Sequence, residues 1–298
     1  MWHSQTLYLP NSFIIHPSVE KRRFIFMVDI VVGMESVIDV CKNSWASKPY
    51  QEIKEIGERD GSVLVVPIGS VEQHGNHMPV ATDTILVDAV AHLGAERVDD
   101  DVPVLVTPTV WAGFSPHHLP FGGTISLDFD TLRKMIEETV DRALENGFDA
   151  ALLLNGHGGN MPLVDGVVNT IGTTHSDTEI LGLTYFELAT EFIDDIRDSE
   201  NGGMAHGGEF ETSLLLHLRP ELVGDDRDAT YWNEPYDRGG KDLLDGGPLA
   251  VYRTFEEYSA SGAIGDPELA SAEKGEEIFN LLGVELAELF REIHSQNR

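Results

Sequence analysis

Cysteine is almost missing from this chain: Cys41 is the single one in 298 residues. An intrachain disulfide is therefore excluded, and the composition suits a reducing cytoplasm. Basic residues are scarce as well, with 20 Lys+Arg against 51 Asp+Glu and a formal net charge of -31. Such a surface repels phosphate backbones, so a nucleic-acid partner is not expected. Long apolar runs are also lacking. The best one, Phe24 to Met34, is broken by Asp29 and falls far short of the roughly 20 residues a spanning helix needs, so no membrane partner is expected. Lys21-Arg22-Arg23 precedes that run without a clean cleavage site after it. Residues 1–45 read instead as an N-terminal extension, disordered or from a mis-assigned start, with Met27 and Met34 as alternative starts. The serine-nucleophile elbow, the P-loop and a glycine-rich dinucleotide fingerprint after a strand are all absent. Cys41 lies in the extension, a poor place for a nucleophile.

The acidic residues that are present are scattered, as at Asp99 to Asp101, Asp194-Asp195 and Asp225-Asp226. Self-repulsion of this size is screened at high salt, where the Debye length falls to roughly 3 Å at 1 M. The composition points to a halophilic, cytoplasmic protein.

After the extension, short apolar runs alternate with helical patterns. Ser62 to Ile68, Val102 to Val106, Ala150 to Leu154 and Ile180 to Thr184 read as buried strands. Asp83 to Arg97, Asp128 to Glu145, Asn160 to Ile171 (with Asn160 as its cap), Phe186 to Ile196, Glu209 to Leu218 and Glu268 to Ile293 read as helices. Alternation at this spacing predicts one α/β domain over 46–298, a mostly parallel central sheet between helical layers. Asp225 to Gly262, rich in Gly, Asp and aromatics, is expected to be irregular.

Sites in parallel sheets form at the carboxyl ends of strands, and polar clusters fall there. After the first strand come Glu72 and His74, alternate residues of an extended segment that share a face, and then Asp83 at a helix start. After the Ala150 strand comes Asn155-Gly156-His157-Gly158-Gly159-Asn160. Two carboxylates and two imidazoles from adjacent strand ends suit a divalent transition metal. A third cluster, His206-Gly207-Gly208-Glu209-Phe210-Glu211, could complete the metal shell or act as general acid/base. His117-His118 follow the Val102 strand and are expected to border the site. His77, His92, His175 and His217 read as structural or surface residues. No basic phosphate cradle is evident near these motifs.

Pro67 to Gly75 with Thr82-Asp83-Thr84, then Asn155 to Asn160, then Glu211-Thr212-Ser213 after His206, resemble in order the motifs of the creatininase (creatinine amidohydrolase) family. Gly122 to Leu127 resembles its Pro-Gly-Thr-like segment, with Gly122 in place of proline. The resemblance covers roughly 50 to 220. It implies a three-layer α/β/α fold, two divalent ions (Zn, Mn or Fe), hydrolysis of a small-molecule amide at a non-peptide C–N bond, and a homo-oligomer, commonly a hexamer. Carried over by position, Glu72 and His157 hold one metal, His74 the other, and Asp83 bridges them, while His206 handles protons near the substrate. Creatininases proper have a glutamate ligand where this chain has Gly159; Glu211 is expected to replace it, with Glu209 in reserve. They also have a tryptophan over the substrate where this chain has Gly202, which argues against creatinine itself. The alternatives are an archaeal formylamino-pyrimidine ribosyl phosphate deformylase of flavin and deazaflavin synthesis, a cofactor-precursor peptidase, and a non-catalytic α/β scaffold.

Overall fold

The computed structural model describes residues 41–231 and 235–298; the expected extension lies outside them as far as residue 40. Four strands, β1 (Val63–Ile68), β2 (Val104–Val106), β3 (Ala150–Asn155) and β4 (Glu179–Thr184), form one sheet in the order β2-β1-β3-β4. Every pairing is parallel. Asn43 and Ser44, on the predicted extension, already belong to this fold: Val106 N–H donates to the Asn43 carbonyl at 2.8 Å, and Ser44 bridges Val106 at the edge of β2.

Alternation along the strands separates two cores. Val63, Val65, Val106, Leu152 and Leu154 face one side and pack with α2 (Thr82–Glu96), α5 (Glu209–Leu218) and α6 (Ala272–Gln296). Leu64, Val66, Ile68, Leu105, Ala151 and Leu153 face the other side and pack with α1 (Tyr50–Gly57), α3 (Phe129–Leu144) and α4 (Met161–Thr174). A strand covered on both faces has no polar positions to spare, so β1 and β3 are buried at every residue. The result is the three-layer α/β/α arrangement. No helix among the described residues is long and apolar enough to cross a membrane.

Several expected elements differ in detail. The Val102 strand is shorter, beginning at Val104. Helix α1 was not anticipated, because its eight residues turn only Ile53 and Ile56 toward the core. Phe186 to Ile196, expected as an α-helix, forms two 3₁₀ turns, Tyr185–Glu191 and Ile193–Asp195. Glu191, Asp194 and Asp195 crowd its C-terminal end, where the helix dipole disfavours carboxylates. Asn160 sits at the start of α4 without capping it. Its amide instead accepts from Phe114 N–H at 2.9 Å and donates to the Gly69 carbonyl at 3.1 Å, tying three strand-end loops together. The closing helix α6 begins at Ala272, where the Ser271 hydroxyl accepts from Lys274 N–H.

Candidate metal centre

Parallel strands deliver their carboxyl ends to one edge. The loop after β1 brings Glu72 and His74, the start of α2 brings Asp83, and the loop after β3 brings His157. The loop after β2 brings His118, and the turn into α5 brings His206 and Glu211. All seven are buried. Gly75, at φ 69°, makes the turn just past His74 in a conformation that a side chain would strain.

The donors interlock around Asp83. One of its carboxylate oxygens lies 3.1 Å from His74 Nε2 and the other 3.3 Å from His157 Nδ1. Glu72 Oε1 lies 3.1 Å from His157 Nδ1, and Glu211 Oε1 lies 3.7 Å from His74 Nε2. Three groups of clustered donor atoms follow: Glu72, Asp83 and His157 on one side, His74, His206 and Glu211 on the other, and Glu72, His118 and His206 between them. His74 Nε2 and Asp83 Oδ2 are buried and have no hydrogen-bond partner outside this group of imidazoles and carboxylates. Buried carboxylates packed against imidazole nitrogens are a donor set that a cation between them would satisfy, so the residues fit divalent metal.

The outer ring nitrogens support the same reading. His74 Nδ1 lies 3.1 Å from the Glu72 carbonyl, His157 Nε2 lies 3.3 Å from the Phe114 carbonyl, and His206 Nε2 lies 2.6 Å from the Gln73 carbonyl. A carbonyl can only accept, so each neutral ring carries its proton there and turns a lone pair inward, as metal-binding histidines do. The Ser115 hydroxyl links His157 Nε2 at 3.0 Å to Ser70 at 2.7 Å, and Ser70 donates to Glu72 at 3.1 Å. Asn155 receives His157 N–H and donates to the His157 carbonyl, fixing the turn.

His118 has the opposite polarity. Gln73 accepts from Gly75 N–H at 2.9 Å through its carbonyl oxygen and donates to the Gly262 carbonyl at 3.1 Å, which fixes its amide orientation. Its Nε2 then donates to His118 Nδ1 at 2.8 Å. The His118 proton is thereby on Nε2, 3.2 Å from Glu72 Oε1. His118 orients Glu72 from inside the site; it does not merely border it, as the sequence led us to expect. Its neighbour His117 lines the cleft beside it. Neither the role of Gln73 nor that of His118 was visible in the sequence, where the two lie far apart.

Charge follows geometry. Burial works against protonation of His157, but Glu72 and Asp83 outweigh it and raise its pKa from 6.5 to about 10. His74 is likewise raised well above its ordinary value: burial opposes the shift, and Asp83 and Glu211 override it. Burial would raise Glu72, yet His157 and His118 hold it well below the usual carboxylate range. His206, buried and next to His74 and His118, is pushed well down and stays neutral. In chelator-treated protein, then, His74 and His157 carry protons at pH 7 that a metal must displace. Metal uptake is expected to release about two protons, and apparent affinity should rise with pH until about 10. Calorimetry in buffers of different ionisation enthalpy would measure this, and uptake without proton release would contradict it. The sign for the metal-free fold is opposite. The raised His157 stabilises it fully below about 6.5, and that support fades as pH climbs through about 10.

Other sequence candidates separate cleanly. Glu209, the reserve ligand, points away from the centre: it accepts from Asp198 and Ser199 N–H at 3.0 and 2.9 Å and pairs with Lys274. Glu211 faces His74 and also accepts from Gly207 N–H at 2.7 Å. Gly159 has no room for a side chain, since a Cβ there would lie 2.4 Å from His157 Nε2 and 2.7 Å from the Phe114 carbonyl. His77 is structural: its Nε2 lies 3.1 Å from the Gly207 carbonyl and 3.0 Å from Thr212 Oγ1. His175 pairs with Asp141, and His217 packs on Phe279. His92 is buried on α2.

The class defined by this fold and donor set has known members. Residues 47–290 match the family model described as Creatininase: Creatinine amidohydrolase. The chain belongs to the creatininase family of hydrolases. A mycofactocin precursor peptide peptidase of Mycobacterium ulcerans is 34% identical over 72% of this chain and 79% of its own length. A creatinine amidohydrolase of Pseudomonas putida is 32% identical over 77% and 89%. Among solved structures, a manganese creatininase superposes with a TM-score of 0.71 at 27% identity, covering 84% of this chain and 98% of its own. A mutant creatininase of Zn-Zn type gives 0.70 at 27%, covering 84% and 97%.

Proposed function

We propose that this protein is a metal-dependent amidohydrolase that cleaves a non-peptide C–N amide bond of a small molecule with two divalent ions. Glu72, Asp83 and His157 would hold one ion, and His74, Asp83 and Glu211 the other. The observation that carries this reading is the buried Asp83 carboxylate, one oxygen 3.1 Å from His74 Nε2 and the other 3.3 Å from His157 Nδ1, with Glu72 and Glu211 against the same two imidazoles. When bound, such ions polarise an amide carbonyl and lower the pKa of water to about 7. His206, neutral and with Nδ1 turned inward, is placed to take a proton and pass it to the leaving nitrogen. His118 and Ser70 hold the Glu72 carboxylate from two sides.

The test is metal analysis of purified protein joined to a hydrolysis screen with added Zn, Mn or Fe. Creatinine, cyclic amides, formylated amines and short peptides form the panel. Stoichiometric metal with metal-dependent release of an amine supports the reading. Protein that purifies and remains metal-free under loading would end it and favour a scaffold. A peptide-cleaving reading is favoured by the 34% identity to a peptidase. It predicts hydrolysis confined to the peptide arm.

A further inference from the structure

An arc of five imidazoles runs beside the carboxylates of the metal centre. Ring centroids step from His74 to His206 at 4.3 Å, to His118 at 4.4 Å, to His117 at 4.2 Å and to His157 at 5.8 Å. Four of these rings are committed. His74 and His157 face Asp83 and Glu72, His206 meets the Gln73 carbonyl, and His118 sits between Gln73 and Glu72. His117 differs: among the described residues it has ring contacts but no hydrogen bond or ion pair. Its ring is held all the same, parallel to His157 within 7° and packed on Phe255 at 5.0 Å. The space it fills is the space of residue 159. A Cβ at Gly159 would lie 2.9 Å from His117 Cε1, so a side chain there and this imidazole exclude one another. The ring lines the metal cleft of about 370 Å³ and is partly exposed, so its nitrogens are not enclosed. Burial, with His118 and His157 beside it, pulls its pKa down to about 3. At pH 7 it is a neutral ring with one donor and one acceptor.

We propose that His117 contacts the substrate: it hydrogen-bonds an uncharged polar group on the acyl side of the scissile amide, and so selects acyl portions that carry a hydroxyl, carbonyl or amide beside the reacting carbonyl. The inference rests on the hydrolase reading above and adds a specificity-determining residue to it. The side follows from the arc. His206, which serves the leaving nitrogen in that reading, lies at the His74 end, and His117 lies at the His157 end. An amide that spans the two presents its nitrogen to one and its acyl group to the other. A neutral imidazole suits an uncharged partner, since it can donate to an oxygen or accept from an O–H or N–H. Packing against His157 and Phe255 fixes the ring before substrate arrives, which lowers the entropy lost on binding. An alkyl group in the same place would leave the ring nitrogen unpaired, the mismatch by which polar sites reject apolar analogues.

The experiment uses zinc-loaded full-length protein and matched amides that differ in one acyl substituent, N-methylglycolamide against N-methylpropionamide and longer pairs built the same way. Binding is read by calorimetry, and hydrolysis is followed separately. Imidazole nitrogen signals of isotope-labelled protein, read by magnetic resonance, report which histidine each probe touches. A hydroxylated probe should bind about tenfold more tightly than its alkyl twin, the scale of one well-made hydrogen bond, and should shift the His117 signals. His117→Phe, which keeps a ring against His157 and Phe255, should bring the twins to within about twofold of one another, with metal content and melting temperature unchanged. His117→Gln, which restores a donor and an acceptor, should recover part of the preference. Equal binding of the twins, no binding of any hydroxylated probe, or a preference that survives in His117→Phe would overturn the proposal. Loss of the preference together with loss of metal in both variants would make His117 a prop for His157 and overturn it as well. A preference abolished in His117→Phe, with no hydrolysis of either twin under any metal, would sustain the contact and strike at the hydrolase reading alone.

Discussion

Asp83→Asn should strip most of the bound metal and lower hydrolysis by about a hundred- to a thousandfold, the scale on which removal of one charge-stabilising group acts. The substitution keeps the shape of the side chain. It removes a negative charge from a residue 2% exposed, whose two oxygens face His74 and His157 at 3.1 and 3.3 Å. An amide nitrogen in place of either oxygen turns protons toward the ion. Because Asp83 addresses both donor groups, both ions should be weakened together, whereas a loss confined to Glu72 should first affect the His157 side. Metal content by mass spectrometry and hydrolysis rates, taken on the same preparation, check this. Full occupancy with full activity in Asp83→Asn would remove the basis for a shared carboxylate.

Glu209→Ala should have the converse signature: a large loss of stability with the metal retained. Its carboxylate has no exposed surface and answers two backbone N–H groups and Lys274. Burial alone would raise its pKa, yet Lys274 and the N–H donors pull it below the ordinary value. Its contribution is therefore present above about 4.5 and is lost as pH falls. Truncation leaves buried donors without acceptors and Lys274 with only Asp198, 2.7 Å away. The expected cost is about 3 kcal/mol, or a melting temperature lower by about 5–10 °C. Thermal unfolding at neutral pH measures it. A variant that melts normally but loses metal would return Glu209 to the ligand set. Together the two substitutions separate an acid that faces the donor groups from one that holds the fold.

The comparison of sequence with structure follows the range of the interactions involved. Strands β1 and β3 were legible because a strand buried on both faces must be apolar throughout. Helices α2, α3 and α5 were legible because their apolar residues recur at helical spacing and their ends carry stop signals. The donors Glu72, His74, Asp83 and His157 stood out because short motifs place them at strand ends. Glu211 was preferred to Glu209 in the sequence with Glu209 kept in reserve, since two acids in the first turn of one helix differ only in the direction they face. His118 and Gln73 escaped because their meaning depends on partners far along the chain: Gln73 meets His118 and Gly262. The helical pattern at Phe186 to Ile196 misled because periodicity reports which side is apolar, not how tightly the backbone winds.

The contact between α5 and α6 has a consequence for the order of events during synthesis. At Gly275 a Cβ would lie 1.9 Å from the Ser213 carbonyl, so the two helices cross with backbone nearly touching, and Lys274 reaches back to Glu209 at the head of α5. Glu211 lies in the same first turn. Glu72, His74, Asp83 and His157 leave the ribosome well before α6 exists, yet α5 lacks its packing partner until α6 is made. Helix α2, which carries Asp83, packs on α6 as well, so both halves of the centre wait for translation to pass α6 before the layer behind them is complete.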